Sequence, residues 1–143
     1  LLRSTMGIIV AKAEEKHILV EVVCPDEISA DINLPLLEQA FVNLLDNAVK
    51  YSNPDSRVRI RTVCSDTVIS ISFQDTGIGI AKEHLPRLFE RFYRVDKSRS
   101  RKQGGTGLGL AIVKHIAAAH NGYITVSSEI GKGSVFTIHL PIA

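Results

Sequence analysis

Apolar residues recur along this chain at two spacings, one typical of helices and one typical of strands. The helical spacing occurs in three stretches, residues 2–16, 34–51 and 108–120. Pro35 lies in the first turn of the second stretch, where a helix tolerates the loss of a backbone N–H. Asn121 and Gly122 follow the third stretch and form a common helix stop. The pattern therefore predicts three helices, and a further short helix is predicted over residues 83–92.

Apolar and polar residues alternate in the segments that we predict to be strands. These segments are residues 17–25, 57–63, 67–75, 123–128 and 134–140. Short turns join the second segment to the third and the fourth to the fifth, so each of these pairs is expected to form a hairpin. Because hairpins replace a strict alternation of strands and helices, we expect an α+β fold. It would be a two-layer sandwich with helices on one face of a largely antiparallel sheet.

The composition is that of one ordinary domain. A net charge of +2 over 143 residues is too small to indicate a nucleic-acid binder. No apolar run approaches the roughly 18–20 residues that cross a membrane, and the start of the chain lacks the pattern of a signal peptide. Cys24 and Cys64 stand far apart without metal-ligand spacing, so we expect reduced thiols, mostly in the core. The five histidines lack partners that suggest catalysis and are expected to be structural.

Two asparagines stand inside the predicted helix 34–51, where this residue type is unfavourable. At about 100° per residue, Asn43 and Asn47 share a narrow stripe with Lys50, and apolar residues fill the opposite arc. A solvated helix face is one interpretation. Neutral amide oxygens beside an ammonium group also suit Mg²⁺ and the phosphates of a substrate, which favours a binding stripe.

A carboxylate ends the predicted strand 67–75. Ile71, Phe73 and Asp75 share one face of this strand, so Asp75 is expected to point into the core with the apolar residues. A buried carboxylate needs hydrogen-bond donors. One interpretation is that Asp75 only begins a turn. The other is that it accepts a hydrogen bond from a ligand such as adenine, while Gly77 and Gly79 let the backbone approach a flat ring.

Glycines cluster at the start of the predicted third helix, at positions 104, 105, 107 and 109. Backbone N–H groups at a helix start bind phosphate, although a flexible linker is the other interpretation. The stretch matches neither the dinucleotide-binding pattern nor the P-loop pattern. A phosphate site here would therefore be of a third type.

Basic residues dominate the segment that leads into this glycine cluster. They are Arg91, Arg94, Lys97, Arg99, Arg101 and Lys102. Such a run is normally a solvated surface segment. Because it lies between two candidate nucleotide-binding stretches, we interpret it as a lid whose cations reach a triphosphate.

Four stretches, in their order along the chain, resemble the catalytic ATP-binding domain of sensor histidine kinases. "NLLDNAVKYS" is similar to the N box of that family, "DTGIGI" to its G1 box, "LFERFYRVD" to its F box and "GGTGLGLAIVKHI" to its G2 box. The resemblance covers the chain from about residue 16 and is closest to the phosphate-regulon type of sensor kinase. It implies the Bergerat fold, which gyrase, the ninety-kilodalton heat-shock chaperone and mismatch-repair ATPases share.

The resemblance implies that ATP and Mg²⁺ are the cofactors. Asn47, with help from Asn43, would hold Mg²⁺, and Lys50 would neutralise phosphate. The residues implied to wrap the phosphates are Gly105, Thr106, Gly107, Leu108 and Gly109. The residues implied to lie near the transferring phosphate are Arg91, Arg94 and Lys97.

For the base, the resemblance implies that Asp75 accepts a hydrogen bond from the exocyclic amine of adenine. The residues implied to surround the base and the nearby nucleotide are Tyr51, Gly77, Gly79 and Ile80. Phe89 and Phe92 would anchor the base of the lid.

One position separates phosphoryl transfer from hydrolysis. Hydrolytic members of the superfamily carry a glutamate four residues before the metal-binding asparagine, and here that position is Asn43, which cannot act as a base. We therefore expect slow hydrolysis, whereas transfer needs mainly positioning and charge stabilisation. A hydrolytic ATPase and a non-catalytic regulatory module are the alternative functions. The residues expected to act in transfer are Asn43, Lys50, Arg91, Arg94 and Lys97.

The resemblance also implies partners. Sensor kinases phosphorylate a histidine on a dimerising helical hairpin and pass the phosphoryl group to a response regulator. No histidine here is followed by Glu or Asp, as the acceptor usually is. Residues 1–15 would be the tail of that hairpin and residues 16–143 the catalytic domain. We expect a monomeric, soluble, cytoplasmic fragment of a membrane-anchored parent, without a nucleic-acid partner and unable to phosphorylate itself.

Overall fold

One mixed sheet carries the fold. The computed structural model describes residues 2–24, 28, 30–95 and 107–142. Within them the order is α1 (Leu2–Glu15), β1 (Leu19–Val23), α2 (Leu34–Tyr51), β2 (Arg57–Cys64), β3 (Val68–Asp75), a 3-10 helix (Lys82–Arg87), α3 (Gly109–Ala119), β4 (Tyr123–Glu129) and β5 (Gly133–Pro141). The strand order is β1-β2-β3-β5-β4. β1 runs parallel to β2, and the other neighbours are antiparallel. The predicted α+β class is confirmed.

The helices cover one face of this sheet. On β2, Val58 and Ile60 are buried while Arg57, Arg59 and Arg61 between them are exposed, as alternation on a half-covered sheet requires. The buried residues of α2 are Leu37, Ala40, Phe41, Leu44, Leu45, Ala48 and Val49. The apolar arc of the predicted helix 34–51 is therefore its core-facing side.

Asn33 and Pro35 explain why α2 begins where it does. The Asn33 side chain accepts a hydrogen bond from the Leu36 backbone N–H at 3.2 Å, which satisfies one of the helix's first donors. Deeper in the core, the Phe41 ring meets Phe73 of β3 with 5.5 Å between ring centroids. These contacts fix the rotation of α2, and with it the direction of its polar stripe.

α1 packs along α2. Ile9 and Ala13 are each only 3% exposed and belong to the hydrophobic core. A domain boundary at residue 16 stays a prediction. Among the residues that the structure describes, none of the helices has both the length and the hydropathy of a membrane-spanning segment.

Two expectations were wrong in part. Cys24 and Cys64 are exposed, because Cys24 follows the end of β1 and Cys64 is the last residue of β2. The helix predicted over residues 83–92 is a 3-10 helix that spans only Lys82–Arg87. Pro86 lies inside it and lacks the N–H that a regular α-helix needs at that position.

Candidate functional site

A cavity of about 570 Å³ lies among α2, the segment after β3, the 3-10 helix and the start of α3. Many of the residues predicted from the sequence line it. They are Asn43, Asn47, Lys50, Tyr51, Asp75, Gly79, Ile80, Arg94, Gly107 and Gly109. Residues far apart in the sequence therefore meet at one site, whose volume suits a small-molecule ligand.

Asp75 places a buried carboxyl group in the apolar part of this cavity. Its side chain is only 5% exposed, and its Oδ1 accepts a hydrogen bond from the Gly77 N–H at 2.9 Å. Burial raises the pKa of Asp75, and hydrogen bonds from the backbone at Gly77 and Ser134 partly offset this rise. Nearby walls are apolar, with Leu88 and Phe136 among them. A carboxylate in such surroundings is well suited to recognise a ligand that donates hydrogen bonds.

Gly77 and Gly79 allow the turn after β3 to pack against two other backbone segments. A Cβ on Gly77 would lie 2.0 Å from the Tyr51 carbonyl oxygen, and a Cβ on Gly79 would lie 2.1 Å from that of Glu129. Gly79 also has a φ of +73°, which favours glycine. The Ile80 N–H donates to Ser128 Oγ at 2.8 Å. These contacts hold the turn between the end of α2 and the β4–β5 hairpin.

The polar stripe of α2 lies along one side of the cavity. Asn43 donates from its side-chain amide to the Gly109 carbonyl at the start of α3, over 3.5 Å. Asp46, which the sequence analysis did not select, also lines the cavity. Its Oδ2 is 3.2 Å from Lys50 Nζ. The stripe therefore offers amide oxygens, one carboxylate and one ammonium group.

The oxygen atoms of this stripe fit a magnesium ion that binds together with the phosphates of a ligand. Mg²⁺ binds oxygen and usually takes few protein ligands beside substrate phosphates. Asn43 and Asn47 supply amide oxygens one helical turn apart. Within the described ranges, no cluster of three or more His, Cys, Asp or Glu side chains could hold a metal by itself. The residues present thus suit a metal shared with a ligand rather than a dedicated metal cage.

The predicted lid lies mainly outside the described residues. Lys97, Gly105 and Thr106 belong to that part. Phe92 and Gly107 lie on either side of it in the sequence, and the Phe92 N–H donates to the Gly107 carbonyl at 2.9 Å. A Cβ on Gly107 would lie 2.8 Å from the Phe92 Cα, and Gly107 has a φ of +78°. This close backbone contact brings the segment after the 3-10 helix and the segment before α3 together at the edge of the cavity.

Other predicted residues stand beside the cavity rather than in its lining. Phe89 meets Phe136 edge-on with 6.3 Å between ring centroids, whereas Phe92 is 68% exposed. Arg91 is exposed on the same turn. Leu108 precedes α3 and has no side-chain acceptor for the first N–H groups of that helix. α3 begins at Gly109, which lines the cavity, so the positive end of the α3 dipole lies at the cavity edge.

Two aromatic residues of the site were missed by the sequence analysis. His84 Nδ1 hydrogen-bonds to the Tyr93 hydroxyl, and both residues line the cavity. Arg87 places its guanidinium carbon 4.5 Å from the centre of the Tyr93 ring. The sequence pattern carried no signal for this contact, because nine residues at about 100° each would place His84 and Tyr93 on opposite faces of the predicted helix.

Comparison with known proteins gives consistent similarities. The model of the family described as "Histidine kinase-, DNA gyrase B-, and HSP90-like ATPase" matches residues 33–143. The chain is 54% identical over 103 residues to the phosphate regulon sensor protein PhoR of Pseudomonas aeruginosa, which is 72% of this chain and 23% of that protein. It is also 54% identical over 106 residues to the sensor-like histidine kinase SenX3 of Mycolicibacterium smegmatis, covering 74% and 28% of the two chains. The chain thus spans about a quarter of the length of these relatives.

Solved structures show the same similarity. Full-length ShkA in complex with AMPPNP superposes with a TM-score of 0.86 at 30% identity, covering 99% of this chain and 29% of that one. The mycobacterial sensor histidine kinase MprB superposes with a TM-score of 0.81 at 28% identity, covering 99% and 94%. The second match extends over nearly the whole of both chains.

Proposed function

The chain belongs to the family of histidine kinase-, DNA gyrase B- and HSP90-like ATPases, and on this premise we propose that it binds Mg-ATP and transfers the γ-phosphoryl group to a histidine on a separate domain. The observation that carries the proposal is the arrangement of the cavity. A buried carboxylate, Asp75, stands among apolar walls, and a stripe of amides and one ammonium group lies along the same cavity on α2. This arrangement complements a flat, hydrogen-donating base joined to a charged polyphosphate.

The base would lie against the turn after β3. The Asp75 carboxylate would accept a hydrogen bond from the exocyclic amine of adenine. Gly77 and Gly79 approach the carbonyls of Tyr51 and Glu129 rather than the cavity, so their part would be to fix the turn beside the base. Leu88, Ile80 and Phe136 supply apolar surface there. Recognition would therefore depend on one strong acceptor in apolar surroundings, where a hydrogen bond is worth more than in water.

The phosphates would lie between α2 and the start of α3. Lys50 offers a cation, and the first turn of α3 offers the positive end of a helix dipole at Gly109. Asn43 and Asn47 would hold Mg²⁺, which supplies charge neutralisation for the phosphates. Arg94 also lines the cavity, and it would stabilise charge that develops on the transferring group.

The residues of the polar stripe of α2 favour phosphoryl transfer over hydrolysis. Asn43 is neutral and cannot take a proton from water. Asp46 is a carboxylate that lines the cavity, but its two oxygens face Lys12 and Lys50. Both oxygens are therefore engaged in ion pairs, and neither is free to take a proton from an attacking water. Slow hydrolysis follows.

The acceptor and the relay are proposed from the relatives. Both similar proteins named above are sensor proteins or sensor-like kinases, which supports a histidine on a dimerisation domain as acceptor and a response regulator as the next partner. The cytoplasmic location, the membrane-anchored parent and the monomeric state stay predictions.

The experiment that tests the proposal is calorimetric titration with AMPPNP, with and without Mg²⁺. Wild type should bind with metal dependence, and both Asp75→Asn and Asn47→Ala should weaken binding. Asp66→Asn and Asn53→Ala are matched controls, because both residues are exposed and neither lines the cavity. A supplied helical hairpin with an acceptor histidine should then become phosphorylated from ATP. Absence of nucleotide binding by the wild type would refute the proposal, and binding without transfer would favour a regulatory module.

A further inference from the structure

One carboxylate on α2 is shared by lysines from two helices. Asp46 Oδ2 lies 3.2 Å from Lys50 Nζ on its own helix, and Asp46 Oδ1 lies 2.8 Å from Lys12 Nζ on α1. The Asp46 side chain is 19% exposed and that of Lys50 is 21% exposed, whereas Lys12 is 58% exposed. The two more buried partners line the cavity, and Lys12 stands outside it.

This arrangement matters because Asp46 stands where phosphates are proposed to bind. A carboxylate beside a polyphosphate is repulsive unless cations neutralise it. When Lys50 turns to a phosphate, Asp46 loses part of its neutralisation. Lys12, which lies outside the cavity, then still pairs with Asp46.

Lys16, the residue that directly follows α1, helps to keep this geometry in place. Lys16 Nζ donates to the carbonyls of Val49, Lys50 and Ser52 at 2.9, 2.8 and 3.0 Å. Lys16 follows Lys12 by four residues, one helical turn, and it caps the end of α2 that carries Lys50. α1 is thus held in register with the phosphate side of the cavity by two ammonium groups.

We propose that Asp46 is a positioning residue for Lys50 and that Lys12 of α1 raises the affinity for nucleotide phosphates by neutralising Asp46. This inference rests on the proposed nucleotide site. It places one determinant of the affinity for phosphates on α1, outside the residues that line the cavity. Lys12 lies before residue 33, where the match to the family begins. A shift of α1 along α2 would therefore change the affinity for ATP without any change in the cavity lining.

The test compares AMPPNP with adenosine as ligands of the full chain by calorimetry. Lys12→Gln should weaken AMPPNP binding about two- to fivefold, the range expected for a partly exposed ion pair. Adenosine binding should stay unchanged because it carries no phosphate. Lys12→Arg should restore wild-type affinity, and Lys114→Gln, an equal charge change on an exposed position of α3, should have no effect. Equal loss for both ligands would indicate a packing role and overturn the inference.

A double-mutant cycle isolates the proposed route. Once Asp46→Asn has removed the carboxylate, Lys12→Gln should no longer weaken AMPPNP binding. Additive effects of the two changes would mean that Lys12 acts by another route and would refute the inference. The two proposals also fail differently. If the wild type does not bind AMPPNP, the proposed function fails, whereas wild-type binding that Lys12→Gln leaves unchanged refutes only the role of Lys12.

Discussion

The backbone of Gly77 lies so close to the Tyr51 carbonyl that a Cβ on residue 77 would stand 2.0 Å from that oxygen. The Ile78 N–H donates to the same carbonyl at 3.3 Å. The last residue of α2 is thereby joined to the turn after β3. These contacts fix the position of the polar stripe of α2 relative to the buried carboxylate of Asp75.

Replacing Gly77 with alanine should therefore separate these two elements. We expect Gly77→Ala to lower the free energy of unfolding by about 1–3 kcal/mol, because the backbone must move to relieve the overlap. Gly7→Ala is the matched control, since Gly7 lies inside α1 with nothing within 4 Å of an added Cβ. It should stabilise the protein by about 0.5–1 kcal/mol. Urea denaturation measures both, and an unchanged midpoint for Gly77→Ala would contradict the packing described.

Asp75 should make stability depend on pH in the acid range. Burial raises its pKa in the folded protein above the ordinary value of 3.8, so the folded state binds the proton more tightly than the unfolded state. The contribution of Asp75 is therefore most favourable below 3.8 and is lost as pH rises through the folded-state pKa.

The comparison of wild type with Asp75→Asn isolates this effect. The stability of the variant relative to wild type should increase as pH rises from below 3.8 towards neutrality, since asparagine carries no titrating proton. Denaturant unfolding of both proteins at a series of pH values measures the difference. A difference that stays constant with pH would show that burial does not raise the pKa of Asp75.

Lys16 should stabilise the end of α2. Its ammonium group donates to the carbonyls of Val49, Lys50 and Ser52, and its removal leaves these acceptors without that donor. We expect Lys16→Met, which keeps the apolar stem, to lower the free energy of unfolding by about 1.5–3 kcal/mol. Lys114→Met on the exposed face of α3 should change it little. Thermal and urea unfolding would check this, and equal effects of the two substitutions would count against the cap.

Tyr93 should hold the edge of the cavity through its hydroxyl group. Tyr93→Phe removes the hydrogen bond with His84 but keeps the ring beside Arg87. We expect AMPPNP affinity to fall about two- to tenfold, the equivalent of one hydrogen bond.

Tyr123→Phe provides the control for this change. Tyr123 is 59% exposed on β4 and stacks on His139 away from the cavity. Its substitution should leave the calorimetric affinity unchanged. Equal affinities for wild type and Tyr93→Phe would show that the His84 contact does not support the site.

Periodicity along the chain predicted most of the helices and strands and the polarity of the main site. The alternation on β3 predicted that Asp75 shares the buried face with Phe73, and the helical period of α2 separated the asparagine stripe from the apolar face. Both inferences hold because side-chain direction along one regular element follows from its own repeat.

The contacts between side chains of separate elements could not be predicted in this way and follow from the packing of the whole chain. Lys12 and Asp46 are 34 residues apart in the chain, and His84 reaches Tyr93 across a 3-10 helix that the sequence pattern extended too far. Cys24 and Cys64 are exposed because burial depends on where each strand ends relative to the covering helices. Periodicity states which way a residue points within its element, whereas ion pairs, caps and exposure depend on how close the packed elements bring residues that are distant in sequence.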